Sequence, residues 1–398
     1  MNADKSGLLI KILRAAITES NGENFVDLLD EDVFALAEKH HVTNTVCCVF
    51  EKYIDRLPEA LANKAADILR FAVFKDTVQQ MESQCISDEF EKNEIKHIVL
   101  KGTILKNYYP VSYMRSMADI DYVVGKGDRE KSKGIMESLG YSFHIDSFLH
   151  GSYIKRPVMN VEIHEQLIDD CFEKLNAYFG SGFERALLAE GFKYRYQFKD
   201  EDHFIYIVTH TAKHYYTDGT GIRSIMDIWV CLNHFVGNMD FDYCIEELKK
   251  IGLLDFYNQA VSLAFKWFGN IDGVPYEEKD VTFVEKYVIS NGVYGSGANG
   301  EALAFIRNYS DGNSSKIKYF SQTLFPGLSY MSSRYKVLKK VPVLLPVFWA
   351  VRFFQTWTKN KENIGVRLDG VSDLDQEKFD HFKAEFEKND VFGSGKIS

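Results

Sequence analysis

The sequence predicts an α+β fold: a core with a mixed sheet over residues 95–200, flanked by helical regions at 1–94 and 201–398. Two observations carry this. On both sides of the middle segment apolar residues recur in three- and four-residue steps, the period of a helix with one buried stripe. Between 95 and about 165 that period gives way to strand, helix, strand, helix and then several strands in succession, an order that suits a mixed sheet.

In the first region, apolar residues at 61, 65, 68 and 72, then 74, 78, 81 and 85, mark a long helix with one buried stripe. Pro58 sits near its first turn, where a proline costs nothing. In the middle region Ile95 to Leu100 reads as a strand and Thr103 to Tyr109 as a short helix stopped by Pro110. Ile120 to Val124 reads as the next strand. Asp128 as N-cap and Gly140 as C′ residue bracket a helix between them. Tyr141 to Ile145, Gly151 to Lys155 and Val158 to His164 complete the strands. From about 200 the helical period returns, with stripes at Phe204, Ile207, Val208 and Thr211 and at Ile222, Ile225, Met226 and Trp229. Asn291 to Gly300 is glycine-rich but lacks the Lys-Ser/Thr of a P-loop, so it reads as a connector. Ser310 to Ser315 reads as a loop, and the tail from Glu377 as charged with disordered last residues.

Length and composition narrow the function. At 398 residues, the chain exceeds one typical core. A formal net charge of −10 argues against an extended nucleic-acid surface, without excluding a local basic pocket. The six cysteines form no C-x-x-C pair, which argues against a zinc ribbon and for reduced thiols in a cytoplasmic protein. The N-terminal residues read as a helix, not a signal peptide. Val341 to Phe354 is the most apolar run, but Pro342, Pro346 and Arg352 interrupt it and it is too short to span a bilayer. A buried helix is the expectation there. Docking to a membrane surface, with Arg334, Lys336, Lys339 and Lys340 nearby, is the alternative.

The chemistry concentrates between His97 and Val124. Lys101-Gly102 ends a strand and opens a helix, and glycine there lets a ligand approach the backbone closely. Asp119 and Asp121 are two apart on the next strand and share a face. Side by side they raise each other's pKa, a conflict that a hard cation such as Mg²⁺ removes. Glu162 and His164 share the polar face of a later strand. A glycine turn and three acids on adjacent strands can hold two Mg²⁺ ions beside a triphosphate for in-line phosphoryl or nucleotidyl transfer.

Leu100-Lys101-Gly102, the run Arg115-Ser116-Met117-Ala118-Asp119-Ile120-Asp121, and Val161 to Leu167 together resemble the polymerase beta-type nucleotidyltransferases, and more closely a bacterial branch of that superfamily. His210 to His214 and Arg223 to Ile228 resemble that branch's helical C-terminal part. The resemblance implies a polymerase beta-type core in which Asp119, Asp121 and Glu162 hold Mg²⁺, with Glu162 also placed to act as general base. It implies triphosphate contacts from Lys101, Gly102, Thr103 and Arg115, with an NTP, ATP foremost, as substrate. The chain departs from the superfamily's Gly-Ser or Gly-Gly turn with Gly102-Thr103, a longer gap to Asp119, and Glu162 in place of the commoner Asp.

His164, His210, His214 and Asp227 are candidate contacts to an acceptor the sequence does not name. His210 and His214 share a helix face without the Glu of H-E-x-x-H, which favours packing or acceptor contacts over zinc. Arg223 and Asp227, four apart, read first as an intrahelical ion pair. The leading expectation is Mg²⁺-dependent transfer of NMP to a small molecule or protein. The alternatives are phosphotransfer at the same site and an inactive nucleotide-binding or interaction module.

Overall fold

The computed structural model describes residues 3–292, except 147–149 and 169–171, and pieces of 300–388: 300, 302–303, 305–306, 321, 325–328, 331–332, 335–359 and 376–388. Cys171, most of the glycine-rich run and the loop at 310–315 lie outside the described residues.

The chain begins with helices α1 (Ala3–Ile17), α2 (Glu31–Lys39), α3 (Thr43–Phe50) and α4 (Glu59–Lys92). A seven-stranded mixed sheet follows, built from β1 (His97–Val99), β2 (Ile120–Val124), β3 (Ser142–Asp146), β4 (His150–Lys155), β5 (Met159–His164), β6 (Ala186–Leu188) and β7 (Arg195–Phe198). The short helix α5 (Gly102–Leu105) lies between β1 and β2, α6 (Arg129–Ser138) between β2 and β3, and α7 (Glu173–Phe179) before β6. Then come α8 (Asp200–Thr217), α9 (Ile222–Phe235), α10 (Phe241–Lys250), α11 (Leu254–Phe268) and α12 (Thr282–Asn291). Two more described helices, α13 (Leu345–Lys359) and α14 (Gln376–Lys388), lie further on. The fold is α+β. No described helix is long and apolar enough to cross a membrane.

The strand order is β3-β4-β5-β2-β1-β7-β6. β2 runs antiparallel to β1 but parallel to β5, so the sheet is mixed at its centre. Alternation along β2 divides the apolar residues between two cores. Ile98 and Val123 join the larger core with residues of α1 to α3, α8, α9 and α11. Ile120, Tyr122, Val124, Val161 and Ile163 join a second core with Ile86 and Phe90 of α4 and Met136 of α6.

Some expectations need correction. The predicted stripe on α4 holds at Leu61, Ala65 and Ala72, but Phe74, Met81 and Cys85 are exposed. Past Ala72 the buried face is carried by Gln79, Ser83, Ile86, Ser87 and Phe90 instead. Its polar members are satisfied: Ser83 Oγ lies 2.9 Å from the Tyr122 hydroxyl, and Gln79 donates to the Met117 carbonyl. A stripe read from apolar residues alone misses a face built on hydrogen bonds. Over 341–352 the apolar run is not a buried helix: none of these residues is buried, and Val343 is 80% exposed. The charged tail contains α14, which docks through the fully buried Phe382. Asp128 occupies the N-cap of α6, but its side chain makes no cap hydrogen bond.

Candidate active site

The site is assembled where β1, β2, β4 and β5 meet. β1 ends in a turn at Lys101, whose φ of +44° is a left-handed value that a lysine rarely adopts. At Gly102 an added Cβ would lie 2.7 Å from Met117 Sδ and 2.8 Å from Arg115 Nη1, so no larger residue fits unless they shift. The loop from Arg115 to Met117 therefore closes directly on the turn. Thr103 follows, and its hydroxyl oxygen is buried with no hydrogen-bond partner among the described residues.

Asp119 immediately precedes β2 rather than lying in it, and Asp121 is its second residue. Parallel pairing of β2 with β5 sets Asp121 opposite Glu162. β4 pairs antiparallel with β5 and brings His150 opposite His164. Lys101 Nζ lies 3.4 Å from Asp121 Oδ2, and His164 Nε2 lies 3.2 Å from Asp121 Oδ1. His164 Nε2 is also 3.4 Å from Glu162 Oε2, and His150 Nε2 is 3.6 Å from Glu162 Oε1.

These contacts push the two aspartates apart. Burial opposes ionisation of Asp121, but the Lys101 charge and the hydrogen bond from His164 hold its carboxyl well below the usual range. At Asp119 the balance goes the other way. Burial and the nearby charges of Asp121 and Glu162 push it up to about 6, against a smaller pull from Lys101 and Arg223. Burial works against a charged His164, yet the carboxylates of Asp121 and Glu162 outweigh it and raise its pKa. Three oxygen donors, one of them costly to ionise, are a donor set that fits a hard divalent cation.

Helices from both flanks wall the site. α4 is pinned beside it by Asp76, which accepts from Lys106 Nζ at 2.7 Å and from Ser112 Oγ at 2.7 Å. The next residue back, Lys75, interacts electrostatically with Asp119 while burial depresses its own pKa. From the other flank, α9 supplies Asp227 to Arg115: Nε and Nη2 each donate at 2.8 Å, and the Tyr109 hydroxyl donates to the same carboxylate. The structure gives Asp227 a partner across the fold, Arg115, that its spacing from Arg223 did not suggest. Arg223 Nη1 donates to the Ser116 carbonyl. Arg115, expected at the triphosphate, spends two of its three nitrogens on Asp227 and turns the third toward Gly102. On α8, burial drives His210 well below the ordinary histidine range, with the Lys101 charge adding to it. His214 Nε2 lies 3.1 Å from His210 Nε2.

Lys101, Gly102, Thr103, Asp119, Asp121, Glu162 and His164 are thus gathered at one end of the sheet. Arg115, Asp227 and His210 back that group. Sequence reasoning missed Lys75 and His150. His150 was legible in principle: counting back from the turn at 156–158 along the β4–β5 hairpin pairs it with His164. Nothing in the sequence marks Lys75 among the charges of a 34-residue helix.

The family model described as an uncharacterised nucleotidyltransferase matches residues 29–269. The chain belongs to this nucleotidyltransferase family. Neither the curated proteins nor the solved structures give a match. The matched span runs from the start of α2 through the end of α11, so it takes in the whole sheet and every residue of the site. Family membership points to nucleotidyl transfer as a general class of reaction.

Proposed function

We propose that the protein is a Mg²⁺-dependent nucleotidyltransferase that moves NMP from an NTP to a hydroxyl of a small molecule or protein. The observation that carries this is the placement of Asp121 opposite Glu162 on parallel strands, with Asp119 at the start of β2 and the Lys101–Thr103 turn beside them. A strand, a turn with a short helix, an antiparallel acid-bearing strand and a third acid on its other neighbour support a polymerase beta-type core.

Asp119, Asp121 and Glu162 would hold Mg²⁺, which when bound neutralises phosphate charge and polarises the α-phosphate. Lys101 and Lys75 supply positive charge for the triphosphate, and the Thr103 hydroxyl supplies a donor. Glu162 accepts the proton of the acceptor hydroxyl as its oxygen attacks the α-phosphorus. The bond from the α-phosphorus to the bridging oxygen breaks, and pyrophosphate leaves. His164 orients Glu162 and Asp121. Arg115, held by Asp227, fixes the loop that closes on Gly102.

Replacing Asp119 and Asp121 together by Asn is expected to abolish NTP-dependent labelling of acceptors while the circular dichroism spectrum is retained. Labelling that persists undiminished in the double variant would sink the proposal.

A further inference from the structure

Beside the aspartates, the polar face of the sheet carries a second donor set of different chemistry. One ligand atom each from His150, Glu162 and His164 lies within 4.8 Å of the others. The strands enforce this. His150 and His164 are directly paired across β4 and β5, and Glu162, two residues before His164, points to the same face. Both imidazoles turn Nε2 toward the same carboxylate, His150 to Oε1 and His164 to Oε2.

At 3.4 and 3.6 Å, the contacts to Glu162 are longer than the usual N–H···O length of about 2.7–3.2 Å, and they go to its two different oxygens, while His164 Nε2 also lies 3.2 Å from Asp121 Oδ1. An ion taken up here would replace these pairings with bonds to the imidazole nitrogens and one carboxylate oxygen. Two imidazoles and one carboxylate are also a poor set for Mg²⁺, which prefers oxygen, and a good one for borderline first-row ions.

We propose that His150, Glu162 and His164 bind a first-row transition-metal dication. The proposal rests on Glu162, which the nucleotidyl-transfer reading also uses, and under that reading this carboxylate would be shared between the two metal positions. The first, at Asp119 and Asp121, keeps its oxygen donors for Mg²⁺. The site itself rests on the three side chains and not on the reaction.

The test uses the full chain, stripped of metal by a chelator and titrated with Co²⁺ while the visible ligand-field bands are recorded. The expected result is saturable Co²⁺ binding that survives a large excess of Mg²⁺. Affinity should fall at least about tenfold in His150→Gln and in His164→Gln. The result that overturns the proposal is displacement of Co²⁺ by equimolar Mg²⁺, or unchanged binding in His150→Gln. If His164→Gln fails to fold, His150→Gln decides, because His150 is only half-buried, at the first position of β4. Metal binding is read without turnover. Co²⁺ binding of this kind in a protein that transfers no nucleotide therefore counts against the transfer reading alone.

Discussion

Asp119 carries the clearest single-residue consequence. Its carboxyl titrates near 6 in the folded chain against an ordinary 3.8, because burial and two like charges oppose its ionisation. The sign follows from proton binding: between those values the folded chain holds a proton the unfolded chain has lost, so stability falls as pH rises through that window and stays lowered above it. Asp119→Asn is therefore expected to stabilise the metal-free protein at pH 7 by about 1–3 kcal/mol, at roughly 1.4 kcal/mol per pKa unit. The gain should vanish below about pH 4, as urea unfolding at the two pH values will show. A destabilised Asn variant at pH 7 would contradict the electrostatic account. Divalent cations should stabilise the wild type more as pH rises past 6, since a ligand must lose its proton to bind. Lys101 tells a related story, since a non-glycine residue held at φ +44° beside Asp121 is the kind of backbone strain that collects at functional sites. The sequence made both residues legible by type and spacing. It hid how Lys101 and His164 divide the two aspartates, because that depends on distances across strands.

Between elements, the contact that sets the site is the closure of the Arg115–Met117 loop over the Gly102 turn, locked by Asp227 of α9. Gly102→Ala must displace Met117 or an Arg115 already held at two nitrogens, so it should cost about 1–3 kcal/mol and weaken nucleotide binding. Asp227→Ala leaves a buried guanidinium without its carboxylate. A loss of about 3–5 kcal/mol is expected by denaturant unfolding, and a loss under 1 kcal/mol would show that the loop holds without the tether. Arg115 and Asp227 were both visible as candidates, but their pairing with each other was not. A four-residue spacing pointed only to Arg223 for Asp227, and nothing local predicts a pair 112 positions apart. The lower half of α4 shows the same limit. Gln79 and Ser83 are buried because Met117 and Tyr122 offer them hydrogen-bond partners, and apolar periodicity cannot see such partners.

At the scale of the whole molecule, the sheet is not an independent unit. Its larger core is shared with helices from both ends of the chain, and α8 and α9 wall the candidate site. A fragment ending at residue 200 is expected to lose cooperative unfolding and to aggregate; a cooperatively folding fragment would contradict the shared core. The α+β class and the helix–sheet–helix order were readable from the change of period. The strand order was not, since β6 and β7 are three and four residues long and too short to show alternation. The central claim is that these acids serve nucleotidyl transfer, and the fate of the α-phosphate tests it most directly. Protein is incubated with Mg²⁺, an acceptor pool and ATP labelled either at the α- or at the γ-phosphate, and the products are weighed by mass spectrometry. The account predicts α-label and a full nucleotide mass on the acceptor, with pyrophosphate released and both lost in the Asp119→Asn/Asp121→Asn variant. Transfer of γ-label alone, adding only a phosphate mass, would contradict it.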